Sequence, residues 1–466
     1  MCVDLDGTLT PIDTLHETAL ALAREAPGAL LSLPRWIARG RAALKQELAQ
    51  RARIDVSHLP YRRDLLDWLR SERERGRRLV LATAADRRIA DAVAEHLGLF
   101  DEIIASDGAD NLSGAAKRAV LVARYGEKGF DYVGNDAVDL KVWPSARQAI
   151  VVGSAGLAAR AARLAEPGPV FATPAPSPRL WLKAARLYQW IKNLLIFVPA
   201  LLSHRIAEPD VLGTALLAFV AFGLCASSVY LINDLLDLDA DRRHPRKRKR
   251  PFAVGALPAS QGLQVAALLA LAAALTAVEI GGLFAAVLAA YYACTCAYSL
   301  RLKRSPIVDV MMLAGLYTIR IVAGGAATGV EVTFWLLAFS MFMFLSLAVV
   351  KRYAELHDAA RAGLTKPAGR GYGADDLPLL LSLGTASGFA AIVVLALYIN
   401  SPQSEALYGD SRPLWLICPL LLYWVCRVWL LTTRGRMHDD PILFALRDRA
   451  SLTIIGLMAA IVLVAI

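Results

Sequence analysis

The sequence predicts a two-domain chain, a soluble N-terminal domain followed by an all-helical membrane domain, and three observations support that division. Only 20% of the 466 residues are charged while 56% are apolar, which is little charge for a soluble protein. The apolar residues are unevenly spread: residues 1–165 mix charge and hydrophobe, whereas from 180 onward long apolar runs alternate with short polar loops. Between them, the Pro-rich stretch 166–179 reads as a linker.

A hydrocarbon core of ~30 Å needs about 20 apolar helical residues. Residues 180–466 accommodate that template nine times, at 186–203, 211–232, 260–279, 281–299, 306–325, 332–350, 377–399, 413–431 and 450–466. The third and fourth spans nearly touch at Glu279 to Gly282. Basic residues gather after every second span: Arg242, Arg243 and Arg246 to Arg250; Arg301, Lys303 and Arg304; Lys351, Arg352, Arg361, Lys366 and Arg370; Arg434, Arg436, Arg447 and Arg449. The intervening loops carry little beyond Arg205 and Arg412. Positive loops stay inside, so these loops and the soluble domain are expected on the cytoplasmic side of a bacterial-type inner membrane, with the C-terminus outside. No signal peptide is expected before the first domain. The net charge of +10 then belongs to orientation and anionic lipid rather than to nucleic acid, which is not expected as a partner. The six cysteines form no CxxC pair, so neither a disulfide framework nor a zinc site is indicated.

The segment with the clearest chemistry is Asn233, Asp234, Asp237 and Asp241, at the cytoplasmic end of the second span. On a helix, Asn233, Asp237 and Asp241 repeat at i, i+4, i+8 and Asp234 lies one turn before Asp237, so four oxygen-bearing side chains share a face. Asp239 points elsewhere. Carboxylates this close repel, and near the membrane centre each would cost about 2.5–3.5 kcal/mol. Hard oxygen donors without His or Cys suit Mg²⁺. The neighbouring cations Arg250, Lys303, Arg304, Lys351 and Arg352 suit the remaining charge of a diphosphate. His244, His357 and His438 stand at no metal-ligand spacing.

This Asp-rich pattern, ending in Arg250-Pro251, resembles the first motif of the UbiA prenyltransferase superfamily, and the spans extend the resemblance over about 280 residues. The resemblance implies a nine-helix bundle around a cavity open to lipid, in which Mg²⁺ on Asn233, Asp234, Asp237 and Asp241 holds a diphosphate. Aromatic prenyltransferases of that family carry a second Asp-rich motif after the sixth span, where this chain has Lys351-Arg352-Tyr353-Ala354-Glu355. With Gln189-Trp190-Ile191-Lys192-Asn193, Asp440-Pro441 and Leu446-Arg447-Asp448-Arg449, that change resembles the decaprenyl-phosphate phosphoribosyltransferase-like branch. It implies transfer of a 5-phosphoribosyl or related phosphosugar group from its pyrophosphate to a polyprenyl phosphate. Asp237 and Asp241 would be catalytic through the metal. Lys192, Asn193, Lys351 and Arg352 would bind the lipid phosphate, and Lys303 or Arg250 the sugar's 5-phosphate. Prenyl transfer from a prenyl diphosphate to an aromatic acceptor is the alternative, and a binding or assembly protein without activity a third reading. Membrane lipids are the expected surroundings, and a homo-oligomer stays open.

At the other end, Asp4-Leu5-Asp6-Gly7-Thr8 closes an apolar strand and sets two carboxylates on one side of its terminus. One can attack phosphorus and the other act as acid and base, with Mg²⁺ between them. Thr83 ending Leu79-Val80-Leu81-Ala82-Thr83, Lys117 after Leu112-Ser113-Gly114, and Gly134-Asn135-Asp136 with Asp139 follow in order. Together they resemble the motifs of haloacid dehalogenase-like phosphatases over about 150 residues. The resemblance implies a doubly wound α/β sheet with a helical cap at about 14–65. Asp4 would be the nucleophile, Asp6 the acid and base, Thr83 and Lys117 phosphate ligands, and Asp4, Asp6 and Asp139 the Mg²⁺ site. Asn135 stands where many members have an Asp, and Asp136 beside it could serve instead. Only three residues precede Asp4, so the central strand is expected to be very short. A phosphatase next to a transferase suggests coupling, in which the 5-phosphate of the lipid product is removed and a reversible transfer is drawn forward.

Overall fold

Alternation along short apolar strands builds the N-terminal sheet. Cys2, Val80, Ala82, Tyr132, Ala149 and Val151 enter one buried cluster, while Val3, Leu81, Val133, Ile150 and Val152 enter another, as side chains of period two must when both faces are covered. The structure is a computed structural model and describes every residue except 109, 362, 364–370, 438 and 439; Lys366, Arg370 and His438 thus lie outside the described residues. By contacts the chain forms two bodies, residues 1–186 with 230–267, and residues 187–229 with 268–466.

In the first body, strands β1 (Cys2–Val3), β2 (Val80–Asp86), β3 (Glu102–Ser106), β4 (Tyr132–Gly134), β5 (Gln148–Gly153) and β6 (Glu166–Ala172) form one parallel sheet in the order β3-β2-β1-β4-β5-β6. Two-residue β1 is central, paired with β2 and β4. Helices α4 (Arg63–Glu74), α5 (Arg87–Leu97), α6 (Ala115–Tyr125) and α7 (Ala155–Ala161) alternate with the strands. The cap is made of α1 (Thr14–Glu25), α2 (Leu33–Ala38) and α3 (Arg41–Arg51) around Leu22, Trp36, Leu48 and Ala52. Residues 166–172, expected as linker, are instead the edge strand β6, registered on β5 from Gln148–Glu166 to Gly153–Ala172. Pro167 and Pro169 lack the amide that an inner strand must donate, so an edge is the place they tolerate.

After α8 (Pro178–Ala184), a 3₁₀ segment Leu187–Phe197 runs into α9 (Val198–Leu202). Then come α10 (Pro209–Leu236), α11 (Leu238–Arg243), α12 (Ala259–Ile280), α13 (Gly282–Leu300), α14 (Val308–Thr328), α15 (Phe334–Arg361), α16 (Leu377–Ile399), α17 (Pro402–Leu407), α18 (Ile417–Thr433), α19 (Pro441–Ala445) and α20 (Arg449–Ala465). Among the described residues seven helices are long and apolar enough to cross a membrane: α10, α12, α13, α14, α15, and α16 and α18 with the 3₁₀ turns before them. The other two of the nine expected spans are the shorter apolar helices Leu187–Leu202 and Arg449–Ala465. The first is wound mostly as 3₁₀, with Lys192 and Asn193 buried inside it. Gly281 at φ +148° separates α12 from α13, a conformation that L side chains rarely adopt.

In the second body Phe344, Leu347 and Val350 of α15 pack with Leu380 and Ala391 of α16 and Val425 and Trp429 of α18. A second cluster joins Phe222 and Cys225 of α10 to Phe284 and Tyr291 of α13 and Ala323 of α14. On α12 the exposed side is apolar, with Leu268, Leu271, Leu275 and Val278 all outward, the inverse of a water-facing helix and the pattern lipid requires.

Candidate active sites

Asp4 leaves the sheet at the end of β1, where the chain turns through Gly7 and Thr8. The Lys117 ammonium, from α6, donates to Asp4 Oδ1 at 2.7 Å and to Tyr132 Oη at 2.9 Å. The Tyr132 hydroxyl donates in turn to Asp139 Oδ1 at 2.8 Å. Burial pushes the Asp4 carboxyl upward against the pull of Lys117. Asp6 accepts the Thr14 amide at 2.8 Å; burial first, and the Asp13 charge second, push its carboxyl up to about 7. A buried acid that titrates near neutrality can give and take a proton in one cycle. Asp4, Asp6 and Lys117 line one cavity of about 510 Å³.

One expectation about this site changes, that for Thr83, whereas Asn135, Asp136 and Asp139 line the same cavity as Asp4 and Asp6. Thr83 is fully buried with its hydroxyl accepting the Ala85 amide at 3.0 Å, and its neighbour Ala84 lines the cavity instead, as alternation along β2 dictates. The Asp139 carboxylate accepts from Tyr132 and from the amides of Asn135 and Asp136 at 2.9 and 3.0 Å, so it orders the loop with three bonds already made. Asp136 is exposed and caps a 3₁₀ turn, while Asn135 lies over the Gly7 turn and accepts from Thr8 Oγ1 at 2.9 Å.

In the Asp-rich segment, the amide of Asp237 bonds Asn233 at 2.9 Å and that of Asp241 bonds Asp237 at 2.8 Å, so helical winding continues where α10 passes into α11. Asp234 and Asp241 are both 2% exposed, whereas Asn233 and Asp237 are half-buried. One guanidinium nitrogen of Arg250 touches both buried carboxylates, Asp234 Oδ1 at 3.0 Å and Asp241 Oδ2 at 2.6 Å. Arg186 pairs with Asp234 as well. Burial pushes the Asp241 carboxyl upward and Arg250 opposes it. Asp239 pairs with Arg243 at the surface.

The second body gathers cations around an anion. Lys192 Nζ reaches Asp440 Oδ2 at 2.6 Å, Lys351 Nζ reaches the same oxygen at 3.4 Å, and the Tyr317 hydroxyl donates to it at 3.2 Å. Burial pushes the Asp440 carboxyl upward, but the Lys351 and Lys192 ammonium groups outweigh it and hold it well below the usual carboxylate range. Asn193 is buried; its carbonyl accepts from Arg320 Nε at 3.0 Å and its amide nitrogen has no partner among the described residues. Arg320 also meets the Leu316 carbonyl and the Tyr291 hydroxyl. Lys303 is half-buried in the 3₁₀ turn Leu302–Arg304. Arg352, expected to bind phosphate, is 1% exposed and pairs with Asp309, itself fully buried, at 2.7 Å and with Glu355. Removing a carboxylate from beside this buried guanidinium leaves its charge uncompensated. Asp309→Ala is therefore expected to cost about 3–5 kcal/mol, read as a lower melting temperature of the detergent-solubilised protein.

With this geometry in view, comparison with known families is decisive: a family model described as the UbiA prenyltransferase family matches residues 194–452. The chain belongs to that family. A model described as haloacid dehalogenase-like hydrolase matches residues 2–138. The chain is thus a multi-pass membrane transferase of the UbiA type preceded by a haloacid dehalogenase-like domain. Uncharacterized protein y4nM of Sinorhizobium fredii is 42% identical over 98% of this chain and 89% of its own. Nodulation protein NoeC of Azorhizobium caulinodans is 35% identical over 60% of this chain and 92% of its own. Decaprenyl-phosphate phosphoribosyltransferase of Mycobacterium tuberculosis is 39% identical over 39% of this chain and 62% of its own.

Among the described residues, no three carboxylate, imidazole or thiolate groups cluster closely enough to cage a metal. Mg²⁺ needs no cage, because it takes one or two carboxylates and keeps water and phosphate oxygens in its other positions. Asp234 and Asp241 fit it, since both already close on one cationic nitrogen. Asp4 and Asp6, two oxygen donors on one cavity wall, fit it too. Tyr132, Tyr317 and Arg320 escaped sequence reasoning. For Arg320 the signal was present, since a charge inside an apolar span marks function by default.

Proposed function

We propose that the UbiA-type region transfers a 5-phosphoribosyl group, or a closely related phosphosugar, from its pyrophosphate to a polyprenyl phosphate, and that the haloacid dehalogenase-like domain removes the sugar phosphate. The observation that carries this reading is the anion seat formed by Lys192, Lys351 and Tyr317. It holds a carboxylate through two ammonium groups and a hydroxyl, the donor set a metal-free phosphate needs. The relative named decaprenyl-phosphate phosphoribosyltransferase supports the substrate class.

In the transfer, a lipid phosphate oxygen attacks the anomeric carbon and pyrophosphate leaves with the bonding pair. Lys192 and Lys351 hold the attacking phosphate, and Asp234, Asp237 and Asp241, with Asn233, would hold Mg²⁺. Bound there, Mg²⁺ would offset the charge growing on pyrophosphate. In the phosphatase, Asp4 attacks phosphorus while Asp6 protonates the departing sugar oxygen; water then opens the aspartyl phosphate as Asp6 takes its proton. The bacterial inner membrane, with the N-terminal domain in the cytoplasm, is the proposed location, and residues 180–466 the proposed transferase unit.

The test is transfer of radiolabel from phosphoribosyl pyrophosphate into the lipid fraction by the purified full-length protein with polyprenyl phosphate. Label is expected with Mg²⁺, and is expected to vanish on chelation and in Asp237→Ala. No incorporation by folded protein overturns the proposal in favour of prenyl transfer to an aromatic acceptor.

A further inference from the structure

The 510 Å³ cavity that holds Asp4, Asp6 and Lys117 has a second wall from elsewhere in the chain: Leu238, within the Asp-rich segment, and Phe252 and Leu257, which follow it. This wall is fixed to the phosphatase domain by particular contacts. Arg242 and Glu17 form a two-pronged pair, Nη1 to Oε2 at 2.9 Å and Nη2 to Oε1 at 2.8 Å, with both side chains buried. Arg242 Nε also donates to the Ala253 carbonyl at 3.0 Å, so one guanidinium ties the wall to cap helix α1. Arg243 meets Asp55 at 2.9 Å. Gly255, at φ +69°, lies so close to Pro11 that a Cβ there would come within 2.6 Å of the proline ring.

A planar guanidinium held on two prongs and desolvated is a specific joint rather than an incidental surface contact. The cavity it closes is divided. The Asp4 end is polar and charged, whereas the added wall is apolar, and apolar wall rewards only a ligand with apolar surface to bury. A free sugar phosphate would satisfy the first end and leave the second unused. The wall also begins one residue after Asp237, so its first residue, Leu238, lies between the candidate Mg²⁺ ligands Asp237 and Asp241.

We propose that residues 238–260 are the specificity wall of the phosphatase site, and that the site takes a phosphomonoester carried on a lipid in preference to a free one. This rests on the phosphatase role proposed above and names its substrate class. Arg242, Glu17 and Gly255 act as positioning residues that hold the wall in place, with no part in the phosphoryl chemistry.

The test uses the full-length protein and two ready-made substrates, p-nitrophenyl phosphate and farnesyl-phosphoryl 5-phosphoribose, with phosphate release as the readout. In Arg242→Glu and in Gly255→Val, kcat/KM for the lipid substrate is expected to fall about tenfold or more, mainly through KM, while that for the aryl phosphate stays within about twofold. The reversed pair, Glu17→Arg with Arg242→Glu, is expected to recover most of the loss, which separates displacement of the wall from misfolding. Equal loss on both substrates without recovery, or no selective loss, overturns the proposal. So does wild-type protein that hydrolyses the aryl phosphate but not the lipid. Because the lipid substrate is supplied already made, these outcomes are independent of the radiolabel assay, in which failure of the transfer reaction is seen by itself.

Discussion

Asp4→Asn is expected to lower phosphate release by the full-length protein about 10⁴-fold or more, equivalent to roughly 5.5 kcal/mol of barrier, while radiolabel transfer into lipid continues. The amide keeps the volume and one acceptor oxygen for Lys117, which sits 2.7 Å from Asp4 Oδ1, but its oxygen is too weak a nucleophile to attack phosphorus. Asp6 alone cannot compensate, because its carboxyl, held near 7 by burial and by Asp13, is placed to move a proton. Retained melting temperature would show that the loss is chemical. Phosphate release at wild-type rate would remove Asp4 from the reaction and with it the assigned nucleophile. Loss of both activities together would mean that the two halves cannot be assayed apart.

What could be read from the sequence depended on how local the determining contacts are. The sheet, the cap and the long apolar helices follow from period and composition, and the Asp4, Asp6 and Lys117 motifs carry their spacing with them. The edge strand at Glu166–Ala172 was hidden because its prolines suit a linker equally well until a neighbouring strand is known. Arg352 and Lys351 are adjacent and look alike in sequence, yet one is paired with Asp309 and buried while the other is one-third exposed on its side chain. Only the fold of α14 against α15 decides which is which. The Glu17–Arg242 joint spans 225 residues of sequence, and in a run of seven basic residues nothing marks the one that will be desolvated.

A double-mutant cycle on Asp234 and Asp241 is expected to be strongly non-additive. Each single change to Asn should reduce radiolabel transfer about 10³-fold, and the double variant should be scarcely worse than either. Both carboxylates are buried and both close on the same nitrogen of Arg250, at 3.0 and 2.6 Å. Two donors that converge on one cation hold one ion between them, and losing either releases it. Asn is the apt substitution because it keeps a carbonyl to accept from Arg250 while removing the charge Mg²⁺ requires. High Mg²⁺ should partly rescue each single variant but not the double, since one remaining carboxylate still binds weakly. Independent ions would give the opposite pattern, with losses that multiply to about 10⁶-fold, and Asp234 would then serve a site of its own with Arg186 as its resting partner.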